Sequence, residues 1–493
     1  MSPLVLAIAS LLSPTPSDPL FVEVGALRGL EPYVLGGGMA SGLAAQDFDD
    51  DGDVDLFVPN GLGATDQLYV NDGSGQFVES AAALGLAIDG NHRGALWFDA
   101  DGDSDLDLLV AGDCFEDVPC GTGSTLRLHE QLADGTFREV TLAAGLGRNL
   151  SFRSDAHVGG LSAGDIDGDG DLDLLVAMWE GLAHLYVNDG TGRFVDRGRD
   201  AGLQVFRDHW QPVMFDFDAD GRLDVFQAVD FGANMLWMNQ GDGTFVDAAP
   251  SAGVDTAFNE MGVSLADFDR DGDLDLYVTN IFTPTGRHNV LFARRGTELR
   301  FDEVSGQFGV RDSGCGWGNS FFDADLDGWM DLVASNSCAF GSTRFFYSRV
   351  GEGGGFEDVT VRVGLDGFDG TGTVTFDMDG DGDRDIAQVG AAGIRLFENR
   401  LAPGTDRHFL VVRPRLQGGR ARAISASVTV FDGVHHTTRA ILAGSSTLSQ
   451  EPAEAHFGLD DVTSVDVSVR WPDGSVTTLV DVAADQVLDV VAP

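Results

Sequence analysis

Seven copies of one aspartate-rich loop, Asp-x-Asp-x-Asp-Gly-x-x-Asp, run along this chain and constrain what it can fold into. Their four aspartates are Asp47, Asp49, Asp51 and Asp55; Asp99, Asp101, Asp103 and Asp107; Asp165, Asp167, Asp169 and Asp173; Asp216, Asp218, Asp220 and Asp224; Asp267, Asp269, Asp271 and Asp275; Asp323, Asp325, Asp327 and Asp331; and Asp377, Asp379, Asp381 and Asp385. Position 6, where a sharp turn favours glycine, is Gly52, Gly170, Gly221, Gly272, Gly328 and Gly382, with Ser104 as the exception. Position 7 varies freely: Asp53, Asp105, Asp171, Arg222, Asp273, Trp329 and Asp383. A position that accepts arginine and tryptophan acts through its backbone carbonyl. Carboxylates at positions 1, 3, 5 and 9 with a carbonyl at 7 make the oxygen-only shell that suits Ca²⁺. One such match reads as a solvated acidic turn. Seven sets of four close carboxylates would repel strongly without a cation, so up to seven structural Ca²⁺ are expected.

The loop is not an EF-hand, which needs a bidentate Glu at position 12 between two helices. Position 12 is Val58, Val110, Val176, Gln227, Val278, Ala334 and Gln388, and the exits are strand-like, as in Asp-Leu-Phe-Val at 55–58. Each loop therefore joins two strands. Loop starts are spaced by 52, 66, 51, 51, 56 and 54 residues, a period that signals stacked supersecondary units. A third strand follows (Leu-Tyr-Val-Asn at 68–71 and 185–188), then a glycine turn and a fourth strand opening at Phe77, Phe137, Phe194, Phe245, Phe301 or Phe356. Four antiparallel strands per unit predict an all-β chain built as a β-propeller. Only six Phe strands follow loops. The seventh, Phe21-Val22-Glu23-Val24, precedes the first, so residues 20–25 are expected to complete the last blade and leave no open edge. The expectation is a seven-bladed propeller over 19–401 and a small β-sandwich-like domain over 402–493, with strands at 408–413, 426–431, 436–442, 464–470, 475–480 and 486–491.

These repeats resemble the FG-GAP/VCBS type of integrin α-subunit propellers. The last stretch resembles the ASPIC/UnbV domain of the cartilage acidic protein family, on His456-Phe457-Gly458-Leu459, Val469-Arg470-Trp471-Pro472-Asp473-Gly474 and Val482 to Val490. Ala423-Ile424-Ser425-Ala426 stands at that family's Ile-Gly-Ala segment, with Ser425 in place of glycine. The resemblance implies the fold and calcium, and leaves the chemistry open.

The formal net charge is −49, from 79 acids and 30 basic residues. Seven Ca²⁺ would leave a strongly acidic chain still, which argues against nucleic acid and anionic membranes as partners. Glycans, matrix or a cell-surface protein remain open, as does the oligomeric state. Residues 1–18, with an apolar Leu4–Leu12 run, resemble a secretory signal, and no other segment reads as a membrane span. Weak calcium sites suit a secreted, periplasmic or cell-surface setting. Four cysteines fit an oxidising compartment, and two disulfides are expected, Cys114–Cys120 and Cys315–Cys338.

Strand alternation puts all the calcium loops on one face and the irregular loops on the other, where binding is expected. His92, His157, His209 and Glu260 enter their first strands on that second face, and Trp210 and Trp317 lie nearby. Together they are candidate ligand residues, the tryptophans by stacking on a sugar; ordinary pore and core roles are the alternative. The leading expectation is a secreted, calcium-stabilised adhesion or recognition protein rather than an enzyme. The alternative is a polysaccharide-acting enzyme on the same scaffold. No HExxH motif is present, although acid pairs for glycoside hydrolysis stay possible.

Overall fold

A computed structural model describes residues 20–31, 40–61, 63–113, 125–148, 150, 157–281, 287–296, 298–311, 314–337, 342–391, 393–401, 407–418 and 421–493. Ahead of residue 407 these form seven four-stranded antiparallel sheets. We call them blades 1 to 7 in the order of their aspartate loops. In every blade the loop joins the first strand to the second, as from Glu260–Ala266 to Asp275–Asn280 in blade 5. The first strands, three to eight residues long, are almost wholly buried, and each touches the first strand of the next blade, the seventh meeting the first. The fourth strands are only three residues long and open on the expected phenylalanines.

Blade 7 takes its fourth strand from the start of the chain. Phe21–Glu23 pairs antiparallel with the third strand of blade 7, in the register Phe21 to Asn399. Phe21 is buried against Phe322 and Phe345 of blade 6. A strand far away in sequence thus closes the sheet, and no blade presents an unpaired fourth edge.

The C-terminal part has seven strands in two sheets. Three of them, His408–Arg415, Ala455–Asp460 and Gln486–Val491, form one sheet, in which the first and last run parallel. Ser427–Phe431, His436–Ala440, Ser464–Arg470 and Val476–Ala483 form the other. The Ala455–Asp460 strand is additional to the six expected. Its His-Phe-Gly-Leu motif lies within that strand.

This domain is not a separate module on a linker. It sits on the aspartate-loop face and sends residues 441–454 into the axis of the propeller. That segment hydrogen-bonds to the first strand of every blade. Gln450 pairs with the backbone of Leu43 and Ala45 in blade 1, and its side chain bridges N and O of Trp97 in blade 2 at 2.7 and 2.9 Å. The Ala443 carbonyl accepts from Ala163 in blade 3, and the Gln211 side chain of blade 4 accepts from Leu448. Ser446 exchanges two backbone bonds with Val263 in blade 5, and its hydroxyl takes the Asn319 amide of blade 6. Glu451 accepts from the Thr375 amide in blade 7. Ser446 to Gln450 are all buried. Close approach needs small neighbours: a Cβ at Gly42 would meet the Leu448 carbonyl at 2.0 Å. One continuous apolar cluster joins blades 2 and 3 to both sheets of the C-terminal domain.

Candidate metal centres and the channel mouth

The aspartate loops share one set of backbone hydrogen bonds. The position 5 carboxylate accepts the position 7 amide in all seven, at 2.9 to 3.2 Å, as from Arg222 to Asp220 and from Trp329 to Asp327 at 3.0 Å. The position 1 carboxylate accepts the position 6 amide in six, from Ser104, Gly170, Gly221, Gly272, Gly328 and Gly382. Position 9 is the most deeply placed. One oxygen of Asp55, Asp107, Asp173, Asp224, Asp275, Asp331 and Asp385 accepts the amide of the last residue of the third strand. In six of them the other oxygen takes the position 2 amide. The fourth aspartate therefore anchors the loop to its own blade.

The turn demands two left-handed residues, not one. Besides position 6 (φ 76° at Ser104 to 103° at Gly52), position 4 has positive φ at Asp50, Gly102, Gly168, Ala219, Arg270, Leu326 and Gly380. At the four non-glycine position 4 residues φ is 57–59°, near the ideal left-handed minimum, so a side chain is tolerated. The larger φ at position 6 explains the stronger demand for glycine there.

A second recurring contact was not evident from the strand pattern. In six of the seven blades the residue ending the third strand reaches back to the position 2 carbonyl of the preceding blade's loop. Asn188 Nδ2 donates to Ala100, Asn239 to Ile166 and Asn399 to Ala324, each at 2.8 Å. Gln131 reaches Phe48, and Arg294 reaches Phe217. Asn71 donates to Met378 at 2.8 Å, which ties blade 1 to blade 7. The sequence signal was the Asn that ends Leu-Tyr-Val-Asn.

The carboxylates converge. In at least five loops three of them offer oxygens within 4.8 Å of one another, for example Asp47, Asp49 and Asp51, or Asp165, Asp167 and Asp173. Burial, then repulsion within the cluster, pushes them up: Asp55 and Asp107 to about 8, Asp173, Asp224 and Asp267 to about 7, Asp49, Asp99 and Asp377 to about 6. Asp275, Asp331 and Asp385 are also raised well above the usual carboxylate range, chiefly by burial. Asp47 Oδ1 and Asp269 Oδ1 are buried and meet no hydrogen-bond donor. Converging, buried, under-satisfied oxygens with no nitrogen or sulfur among them fit a hard divalent cation. Position 7 side chains turn elsewhere: Arg222 to the Asn239 carbonyl and Asp220, Trp329 between Arg270 and His435, and the buried Asp383 to the Leu401 amide.

At the opposite end of the channel, the expected ligand residues are buried and mostly partnered. His92 Nδ1 meets Asp66 at 2.7 Å, and His157 Nδ1 meets Asp113 at 2.6 Å. His209 Nε2 meets the Val205 carbonyl, and burial pushes its imidazole down to about 4. Glu260 accepts from Thr256, and burial pushes its carboxyl up to about 8. Trp210 and Trp317 meet edge to face at 5.4 Å and are 1% and 8% exposed. That corrects the sugar-stacking expectation: neither ring offers an open face. Sequence reading passed over Arg93, which is fully buried, bonds Asp113 and the carbonyls of Ala40 and Val158, and lies over Trp210. Cys315 is buried and disulfide-bonded. Cys114, Cys120 and Cys338 lie outside the described residues, and so do both expected pairings.

Comparison with known proteins agrees with this architecture. An FG-GAP-like repeat family matches residues 47–110, 111–176, 165–227 and 216–278, and the ASPIC and UnbV family matches 417–493. The chain is an FG-GAP-repeat protein with a C-terminal ASPIC/UnbV domain. It is homologous to cartilage acidic protein 1, with 28% identity to the Xenopus tropicalis, Mus musculus and Homo sapiens proteins. Those alignments cover 92%, 92% and 89% of this chain and 73%, 74% and 69% of the relatives. BBS1N, crystallised with ARL6DN, aligns with a TM-score of 0.48 at 10% identity, over 76% of this chain and 96% of that one. Loops 6 and 7 lie beyond the matched repeats and keep the same hydrogen bonds. Among the described residues, no helix is long and apolar enough to cross a membrane.

Proposed function

We propose that this chain is a secreted, calcium-stabilised recognition protein. In this reading residues 1–18 are a removed signal, 19–401 form a seven-bladed propeller, and 402–493 form the ASPIC/UnbV domain docked beneath it. Each loop holds one structural Ca²⁺ through its four aspartates and the position 7 carbonyl, including the Ser104 loop. Cys114–Cys120 and Cys315–Cys338 are paired. The observation that carries the calcium assignment is the convergence of three carboxylates, one of them buried, in successive loops. The ligand, a glycan or a matrix or cell-surface protein, binds on the face away from the aspartate loops, because the C-terminal domain covers much of the loop face. His92, His157, His209, Trp210, Glu260 and Trp317 then act as a rigid floor beneath that surface. The cartilage named in the relatives' title agrees with an extracellular setting for them.

Metal analysis of purified protein with melting curves in calcium and in chelator tests the first part. Several bound Ca²⁺ per chain and a large drop in Tm on chelation are expected. A metal-free protein with an unchanged Tm refutes it. A glycan array and a panel of matrix proteins, probed in calcium, test the second.

A further inference from the structure

Between the loops of blades 4 and 5 and the second C-terminal sheet lies a cleft of about 340 Å³. A domain interface of this kind is normally filled by apolar side chains. Here the strand pattern adds hydroxyls beside apolar residues such as Phe215, Leu274 and Trp471. Thr438, Thr429 and Ser468 lie directly across from one another on three adjacent strands and line the cleft in a row. Their neighbours Val428, Val430, Val467 and Val469 point to the other side of the sheet and are buried in the core. Arg470 enters from the same sheet, 3.6 Å from Asp216, and Arg294 from blade 5, with Asp273 also in the lining.

Ser425 is the second observation. Its φ is 71°, the left-handed conformation that glycine adopts without cost. The serine nevertheless lines the cleft. Its hydroxyl is buried and has no hydrogen-bond partner. A strained residue that adds an unused buried hydroxyl to a cleft is suited to meeting a ligand there.

We propose that this cleft binds one neutral saccharide unit. The volume lies at the small end of ligand pockets and fits a single sugar ring. Hydroxyls that both donate and accept, beside the Arg470–Asp216 ion pair, match a ring whose every edge is a hydroxyl. The chain's strong net negative charge disfavours a uronic acid or sulfated unit. This site is independent of the ligand proposed for the opposite face.

The test uses full-length, calcium-loaded protein and a panel of methyl glycosides of glucose, galactose, mannose, N-acetylglucosamine and glucuronic acid, read by saturation-transfer NMR and calorimetry. At least one neutral glycoside is expected to bind. Ser425→Gly relieves the backbone, so Tm stays level or rises while affinity falls at least about fivefold. A Thr429→Val and Ser468→Ala double variant, which removes both hydroxyls without adding bulk, should lower affinity at least about tenfold. Unaltered binding in both variants overturns the site. So does the absence of binding by any glycoside to folded protein, or a preference for the glucuronide. Variants of opposite-face loops should leave this binding unchanged, which separates its failure from that of the recognition reading.

Discussion

Removing the metal should invert the pH dependence of stability. In the metal-free protein the position 9 carboxylates of Asp55 and Asp107 are pushed up to about 8, chiefly by burial, against about 3.9 in an unfolded chain. Between those values the folded chain holds protons that the unfolded chain has released. The folded state binds more protons, so stability is full at the acid end and is lost as pH rises toward 8. Each such group contributes a slope of about 1.4 kcal/mol per pH unit. From pH 5 to 7, Asp55 and Asp107 together amount to roughly 5 kcal/mol before relaxation reduces it; Asp173 and Asp224, raised to about 7, act in the same direction. With calcium the sign reverses, since protons compete with the cation for the same oxygens and stability rises with pH. The assay is urea unfolding at pH 5, 6, 7 and 8 in metal-stripped buffer and in millimolar calcium. Two parallel profiles, or metal-free stability that rises with pH, refute the reasoning.

Asn239→Ala removes the donors to Ile166 and Leu223 and the acceptor for Gly241; a loss of about 2–4 kcal/mol in urea unfolding is expected, because two buried carbonyls lose a partner. Phe21→Ala empties the buried contact with Phe322 and Phe345 and should cost about 3–5 kcal/mol by the same measurement. Ser104→Gly, at φ 76°, should leave stability level or raise it by up to about 1 kcal/mol, read as a small rise in Tm.

Features set by local chemistry were legible in the sequence. The aspartate loops, the strands around them and the Phe21 strand that completes blade 7 all follow from repeats a few residues long. Contacts between repeats were harder to see. The link from one blade to the previous loop is made by Asn71, Asn188, Asn239 and Asn399, but by Gln131 and Arg294 elsewhere, because any side chain with a donor of suitable reach suffices. The left-handed position 4 was masked by Asp50, Ala219, Arg270 and Leu326, since φ near 58° accepts a side chain. The channel segment left no signal as a strand. Ile441-Leu-Ala-Gly-Ser-Ser-Thr-Leu-Ser-Gln450 lacks alternation because it is buried on all sides and must meet seven different strands. The burial of the candidate ligand residues could not be read from spacing, and both tryptophans proved closed.

Where the C-terminal domain docks explains why so acidic a face can carry it. Four carboxylates around one divalent ion leave a loop with a residual charge of about −2. The chain has no lysine, so arginine supplies all its strong side-chain cations, and arginine holds carboxylates in a fixed fork. Arg422 bonds Asp47 at 2.9 Å in loop 1, Arg470 lies 3.6 Å from Asp216 in loop 4, and Arg407 lies 2.9 Å from Asp325 in loop 6. In loop 5 the Thr438 amide takes Asp267 at 3.0 Å, and in loop 7 His456 takes the Gly382 carbonyl. The same carboxylates that would bind the ion therefore also hold the second domain. Loss of the metal would loosen the loops on which that domain rests, and with them the segment it sends through the channel. Propeller and C-terminal domain should accordingly unfold in one transition with calcium present, and splitting of that transition in chelator would mark the loops as the joint between them.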